Sequence, residues 1–327
     1  MSEPLTTQTM ARRRHPIRHR AEYLAVLAVR TAARVLPRSV VMWFADRCSQ
    51  LFHRVDRRRR QIALTNVRAA FPSRSDEECR SIVEGAFRHL GRHVFDLLRF
   101  DAMSPEQMLA RVEFEGEDRM REALARGRGL VYFCGHFGFW EMQILVHAVR
   151  HDPILMVART LDNPYLELMI ERLRTRVGTR VIGREGAVRR LLRGLRQGES
   201  VGMLIDQHLH DRSAVTIDFF NRPASTTSAI AKLALRTGAP VMPVFALPLP
   251  GGRYRLVYEK PIDAPDPSDP DAVRILTQRC TDVLERYVRR YPELWLWMHR
   301  RWRVDSEDAV ASAPSTEPRL RASEGHR

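Results

Sequence analysis

The chain predicts an α/β fold, with a mostly parallel central sheet flanked by helices and an N-terminal amphipathic, membrane-associated helical segment. Three observations carry this reading. From residue 130 onward, short apolar runs alternate with stretches of helical periodicity, the pattern of strands joined by crossover helices. Hydrophobic residues make up 44% of the 327 positions, enough for a sizeable core. Residues 21–55 read AEYLAVLAVRTAARVLPRSVVMWFADRCSQLFHRV, apolar in the main but interrupted by Arg30, Arg34 and Arg38 and divided at Pro37. A spanning helix needs about 20 apolar residues with few charges, so this segment reads as paired helices lying on or dipping into a membrane. Basic flanks would meet lipid phosphates there.

Taken in order, residues 1–20 carry ARRRHPIRHR and no apolar periodicity, so a disordered basic arm is expected. The membrane-associating segment 21–55 follows, then an α/β domain over 56–303 and a disordered tail over 304–327. Within the domain, SRSDEECRSIVEGAFRHLGRHVFDLLRF, starting at residue 73, has apolar residues at helical spacing, with Ser75 or Asp76 as its N-cap. Residues 101–128 read as a connector and a helix ending at the glycines of 127–129. Beyond them strands are expected at 130–134, 154–158, 201–205, 214–219, 240–246 and 254–259. Helices are expected at 140–150, 163–176, 185–197, 225–237 and 271–290. The polar, proline-spotted composition of the tail supports no packed core.

The formal net charge is +15, which implies an anionic partner. All but Lys232 and Lys260 of the 54 basic residues are arginines, the side chain suited to bidentate phosphate contacts. The arginines are spread through every helix and no nucleic-acid recognition motif is present, so anionic lipid fits better than nucleic acid. Cys48, Cys79, Cys134 and Cys280 are far apart, without metal-ligand spacing, as expected of reduced, buried thiols. No cleavable leader and no internal repeat is read.

Chemistry-bearing residues fall into four clusters. The first is VYFCGHFGFWEMQIL at 131–145, which sets His136 and Glu141 in the most apolar stretch of the chain. Five helical steps rotate about 500°, leaving two side chains roughly 140° apart. The two can meet only if His136 lies in a turn after a strand and Glu141 in the first turns of the following helix. A base at the C-terminal end of a strand sits where α/β folds place their ligands. The second cluster, ARTLDNP followed by ERLRTR, brings together Arg159, Asn163, Arg172 and Arg174. The third is LIDQHLHD at 204–211, and the fourth FFNRPASTTSAIAKLALRTG at 219–238.

H-F-G-F-W-E read as H-x4-[DE], R-T-L-D-N-P, the D-Q after a strand, F-F-N-R-P-A-S-T and the closing P-E-L-W-L-W-M-H-R-R-W occur in one order. In these motifs the chain resembles the late acyltransferases of lipid A biosynthesis, within the wider lysophospholipid acyltransferase class. The resemblance runs from about residue 20 to 303. It implies transfer of a fatty acyl chain from a thioester, acyl carrier protein or coenzyme A, to a hydroxyl of a lipid A precursor or related glycolipid. The expected place is the cytoplasmic face of the inner membrane. The catalytic pair would be His136 as general base with Glu141 fixing its tautomer. Arg159 and one of Arg172 or Arg174 would meet anionic groups, with Asn163, Asp206 and Gln207 lining the site. No cofactor or metal is implied; the partners would be acyl carrier protein, anionic lipid and the glycolipid acceptor. Relatives that acylate phosphatidylinositol mannosides or other polar lipids share these residues, so the acceptor stays open.

Cys134 is read as buried and not a nucleophile. Two other functions compete. His136, Glu141, Asp206, His208, His210 and Asp211 include the ligand types of a metal hydrolase, although the family does not carry histidines at 208 and 210. A non-catalytic membrane scaffold would tolerate the loss of both His136 and Glu141.

Overall fold

In a computed structural model, the structure describes residues 16–302, apart from 159, 184, 185, 211 and 212. The expected tail and residues 1–15 of the expected basic arm lie outside the described residues. Four helices lead: α1 (Pro16–Val35), α2 (Arg38–Val55), α3 (Arg57–Ala70) and α4 (Asp76–Phe100). Residues 16–20, expected in the arm, are helical. Pro37 separates α1 from α2, as its missing N–H requires. Ser75 caps α4 in a capping box with Glu78, its hydroxyl accepting from the Glu78 N–H at 3.2 Å.

The three arginines that interrupt the N-terminal apolar stretch turn inward. Arg30 and Arg34 both pair with Asp101 at the end of α4, and Arg38 pairs with Asp96 at 3.1 Å. They are therefore engaged in ion pairs within the protein. Arg99 donates to the carbonyls of Ala33 and Leu36 at 2.8 and 3.0 Å, satisfying the open C-terminal end of α1. The outward faces keep large apolar groups in solvent: Leu24, Val35, Trp43, Phe44, Leu51 and Val55 are all exposed. Among the described residues, no helix is long and apolar enough to cross a membrane.

The domain continues through α5 (Pro105–Leu109), β1 (Val112–Glu115), α6 (Glu117–Leu124), β2 (Val131–Cys134), α7 (Trp140–Arg150), β3 (Leu155–Val157), α8 (Pro164–Thr175), β4 (Arg180–Ile182), α9 (Ala187–Arg196) and β5 (Val201–Leu204). After these come β6 (Ala214–Asp218), β7 (Pro223–Thr227), α10 (Ala229–Thr237), β8 (Val241–Leu249), β9 (Arg253–Tyr258) and α11 (Ala272–Arg290). Seven strands form one sheet in the order β1-β9-β8-β2-β5-β3-β4, with only the β8–β9 neighbours antiparallel. All four residues of β2 are buried, as a central strand covered on both faces demands.

Two expectations change. β1 and β4 were read as helix or loop; they are short edge strands, three or four half-exposed residues ordered by their neighbours. The segment expected as a helix from 225 begins as β7, which pairs antiparallel with β6 outside the main sheet. Its turn places Phe220 and Asn221 at φ 58° and 56°, the two left-handed positions of a tight hairpin. Phenylalanine is unusual there. Its ring is buried edge-on against Phe71, and its N–H donates to Glu285 at 2.6 Å, so packing overrides the local preference.

Asn163 joins two elements. Its side-chain oxygen caps α8 by accepting from the Tyr165 and Leu166 N–H groups, while its amide donates to the His19 carbonyl and the Glu22 carboxylate, both at 2.9 Å. It is buried and its capacity is spent inside the protein, so the structure makes it a clamp holding α1 to α8, where a substrate contact was expected. Asn163→Ala should cost about 1 kcal/mol from the lost cap. It should also raise amide exchange through α1; unchanged exchange in α1 would show that the clamp carries no load.

Candidate active site

Parallel pairing delivers the central residues. Cys134 of β2 stands opposite Leu204 of β5, and the Ile205 N–H donates to the Cys134 carbonyl at 3.0 Å. His136 and Asp206 each lie two residues beyond this last pair, at the C-terminal edge of the sheet. Asp206 Oδ1 accepts from His136 Nδ1 at 2.8 Å, and Oδ2 accepts the His136 backbone N–H at 2.7 Å and the Trp295 indole N–H at 2.8 Å. Gly135 allows this approach, because a Cβ there would stand 3.0 Å from Asp206 Oδ2 and from both methyls of Leu284.

The turn carrying His136 is fixed on every side. The Gly138 N–H donates to the Leu294 carbonyl at 2.9 Å, and the Phe139 N–H donates to the Ala246 carbonyl at 3.0 Å. The Gly138 carbonyl accepts from buried His89 at 2.9 Å. Gly138 sits at φ 58°, and a Cβ would fall 2.1 Å from the Ala246 carbonyl, so glycine is required. The His136 carbonyl accepts the Leu296 N–H at 3.0 Å, which joins the C-terminal segment to the site.

Electrostatics follow from this geometry. Burial pushes the Asp206 carboxyl upward, but the adjacent His136 charge and the hydrogen bonds outweigh it and hold the carboxyl well below the usual range. For His136, burial favours the neutral ring; the Asp206 charge, its hydrogen bond and the Glu141 charge together exceed that and raise the imidazole above its ordinary value. With Nδ1–H donated to Asp206, the lone pair is on Nε2, 3.4 Å from the Gln207 amide. An imidazole so oriented can take a proton at Nε2 and stabilise the resulting charge through Asp206.

Glu141 lies in the first turn of α7, as expected, but the partner behind the imidazole is Asp206. Both Glu141 oxygens face Arg174, at 2.5 Å to Nη2 and 3.1 Å to Nε, a bidentate pair. The physical reason is rotation: Glu141 reaches α8, whereas Asp206 lies in register with His136 on the neighbouring strand. Of the α8 arginines, Arg174 is the inward one and Arg172 is exposed, as positions about 200° apart on a helix must be. Arg159 lies outside the described residues.

The sequence reading listed Asp206 only as lining and gave no role to Trp295 or His299. His299 places both ring nitrogens on carbonyls, Leu296 at 2.8 Å and Asp206 at 3.0 Å, behind the carboxylate. The indole and histidine in P-E-L-W-L-W-M-H-R-R-W were the available signal, but a contact across 89 positions cannot be read from spacing. Cys134 is buried, bonded to Gln143 and pushed up as a thiol, which leaves it unsuited to nucleophilic attack. His208 Nε2 stands 3.2 Å from His210 Nδ1, and Asp211 lies outside the described residues. Among the described residues, no group of three His, Cys, Asp or Glu is placed to hold a metal ion.

These shifts give a pH signature. Stability from the raised His136 is complete below about pH 6.5 and fades as pH rises through its higher folded value; stability from the depressed Asp206 is present above about pH 4 and fades as pH falls. The gap in urea stability between wild type and Asp206→Asn should therefore be widest between about pH 4 and 6.5. A gap independent of pH would remove the charge pairing.

Similarity to known proteins adds what geometry alone leaves general. Residues 7–304 match the family model described as bacterial lipid A biosynthesis acyltransferase. The lipid A biosynthesis lauroyltransferase of Escherichia coli (strain K12) is 26% identical over 275 residues, 83% of this chain and 88% of that protein. The lipid A biosynthesis myristoyltransferase of the same strain is 24% identical over 289 residues, 87% of each chain. A lipid A biosynthesis acyltransferase of Haemophilus influenzae is 22% identical over 255 residues, covering 77% of this chain and 79% of that one. A family match over nearly the whole described fold makes this chain an acyl-transferring enzyme that belongs to the bacterial lipid A biosynthesis acyltransferase family.

Proposed function

We propose that the enzyme moves a fatty acyl chain from a carrier thioester to a hydroxyl of a lipid A precursor or related glycolipid, with His136 as general base. The single observation that carries this reading is the His136–Asp206 pair, which in the neutral ring favours the proton on Nδ1 and leaves the Nε2 lone pair facing away from the carboxylate. The acceptor hydroxyl gives its proton to Nε2 as its oxygen attacks the thioester carbonyl. The tetrahedral intermediate then expels the thiolate, which takes the proton back from the imidazolium. No protein nucleophile is needed. Glu141 adds negative charge near the imidazole and pins Arg174, whose remaining N–H groups, with Arg159 and Arg172, would meet anionic groups of acceptor or donor.

The donor would be acyl carrier protein, an acidic partner suited to a chain of net charge +15. The exposed apolar rows of α1 and α2 support docking on the cytoplasmic face of the inner membrane. A shallow apolar depression on α1, lined by Leu24, Leu27, Val35 and Leu36, belongs to that face. Polar lipids such as phosphatidylinositol mannosides are the second class of acceptor.

The test supplies acyl carrier protein loaded with radiolabelled fatty acid, a total lipid extract and protein in detergent. Wild type should make one labelled lipid whose mass names the acceptor. His136→Ala should lose roughly 10²–10⁴ of the rate, the usual scale of general-base catalysis, and Glu141→Gln should also abolish transfer, with circular dichroism unchanged. Near-normal transfer by folded His136→Ala would remove the base, as a scaffold would require.

A further inference from the structure

A second cleft lies on the same edge of the sheet, on the other side of the turn that carries His136. Its volume is about 380 Å³, and its walls come from α4, the start of α2 and the β8–β9 turn. Four guanidinium groups line it, those of Arg38, Arg88, Arg92 and Arg253, against two carboxylates, Asp96 and Glu293. Buried His89, pushed down to about 4 by burial, adds no charge at neutral pH.

The arginines have donors to spare. Each guanidinium carries five N–H donors. Arg38 gives one to Asp96, and Arg92 gives two to Asp46, which lies outside the lining. Arg253 gives one to Glu113, also outside it. Arg88 is exposed, with no hydrogen-bond or ion-pair partner among the described residues. Asp96 is paired with Arg38, which leaves the exposed Glu293 carboxylate as the other acid of the lining against four guanidinium groups.

The backbone is arranged to the same end. Arg38 is the first residue of α2, whose N-terminus has Pro37 as its cap residue, no side-chain cap and no acid in its first turn. Asp96, paired with Arg38, already supplies one negative charge at this positive helix end, and the uncapped N–H groups favour a further anion beside it. Gly252, at φ 74°, lets the Arg38 guanidinium lie against the β8–β9 turn, since a Cβ there would fall 2.1 Å from Arg38 Nε. Phe139 and Leu249 supply apolar wall beside the arginines.

The geometry points to a phosphate-ester site, separate from His136 and reaching its turn through Phe139 and the His89–Gly138 bond. Spare planar forks suit the several oxygens of a phosphate, and apolar wall suits the carbon chain it is esterified to. The phosphate can come from a lipid headgroup or from a free phosphate ester. The inference does not depend on the acyl acceptor, because its readout is binding.

The test uses the full chain in detergent, with inorganic phosphate as the first probe and thermal stability as the readout. Wild type should be stabilised, and Arg88→Gln with Arg253→Gln should weaken phosphate at least about tenfold. Arg57→Gln with Arg58→Gln removes the same charge at exposed positions outside the cleft and should leave binding unchanged. The second arm compares phosphatidylcholine vesicles with and without phosphatidic acid. Loss of the phosphatidic-acid-dependent retention only in the cleft variant assigns a lipid phosphate; retained vesicle binding with lost phosphate binding assigns a free ester. No stabilisation of wild type by phosphate, or equal losses in both double variants, would overturn the site.

Discussion

The Asp206 carboxylate is taken wholly out of water and then given an imidazole N–H, a backbone N–H and an indole N–H. Those three donors belong to two parts of the chain: the turn after β2 supplies two, and the C-terminal segment the third. Removing one partner of a buried ion pair typically costs about 3–5 kcal/mol, a large part of the 5–15 kcal/mol by which a typical domain is stable. The parallel register of β2 and β5, the glycine at 135 and the packing of Trp295 all answer to this one buried charge. The same charge fixes which imidazole nitrogen is left for chemistry, so the constraint that shapes the sheet edge also sets its reactivity.

Around this centre the fold handles its arginines in two ways. Arg30, Arg34, Arg38 and Arg174 are drawn into ion pairs with Asp101, Asp96 and Glu141, where they join helices to one another. Others, such as Arg88 and Arg172, stay at the surface. The outward surface of α1 and α2 consequently presents large apolar groups, because several basic residues of that segment turn toward the protein.

Much of this order was legible in the chain. The buried run 131–134, the helix after Trp140 and the Ser75 cap all follow from local pattern, and His136 in a post-strand turn follows from rotation about a helix axis. β1 and β4 escaped because three or four half-exposed residues carry no periodicity of their own. β7 escaped because the first residue of its hairpin turn is Phe220, held at positive φ by tertiary packing where a turn-forming residue is the usual signal. In the candidate site, the sequence pairs His136 with the near carboxylate Glu141, whereas the structure pairs it with Asp206 and sets Glu141 on Arg174. Asp206 is 70 positions away, and only strand register brings it closer to the imidazole than Glu141.

The most direct measurement is the pH titration of the His136 ring nitrogens by nitrogen-15 NMR, in wild type and Asp206→Asn. The account predicts a neutral ring protonated at Nδ1, with a midpoint above 6.5 in wild type that falls in the variant. A neutral ring protonated at Nε2, or a midpoint unmoved by Asp206→Asn, would contradict it.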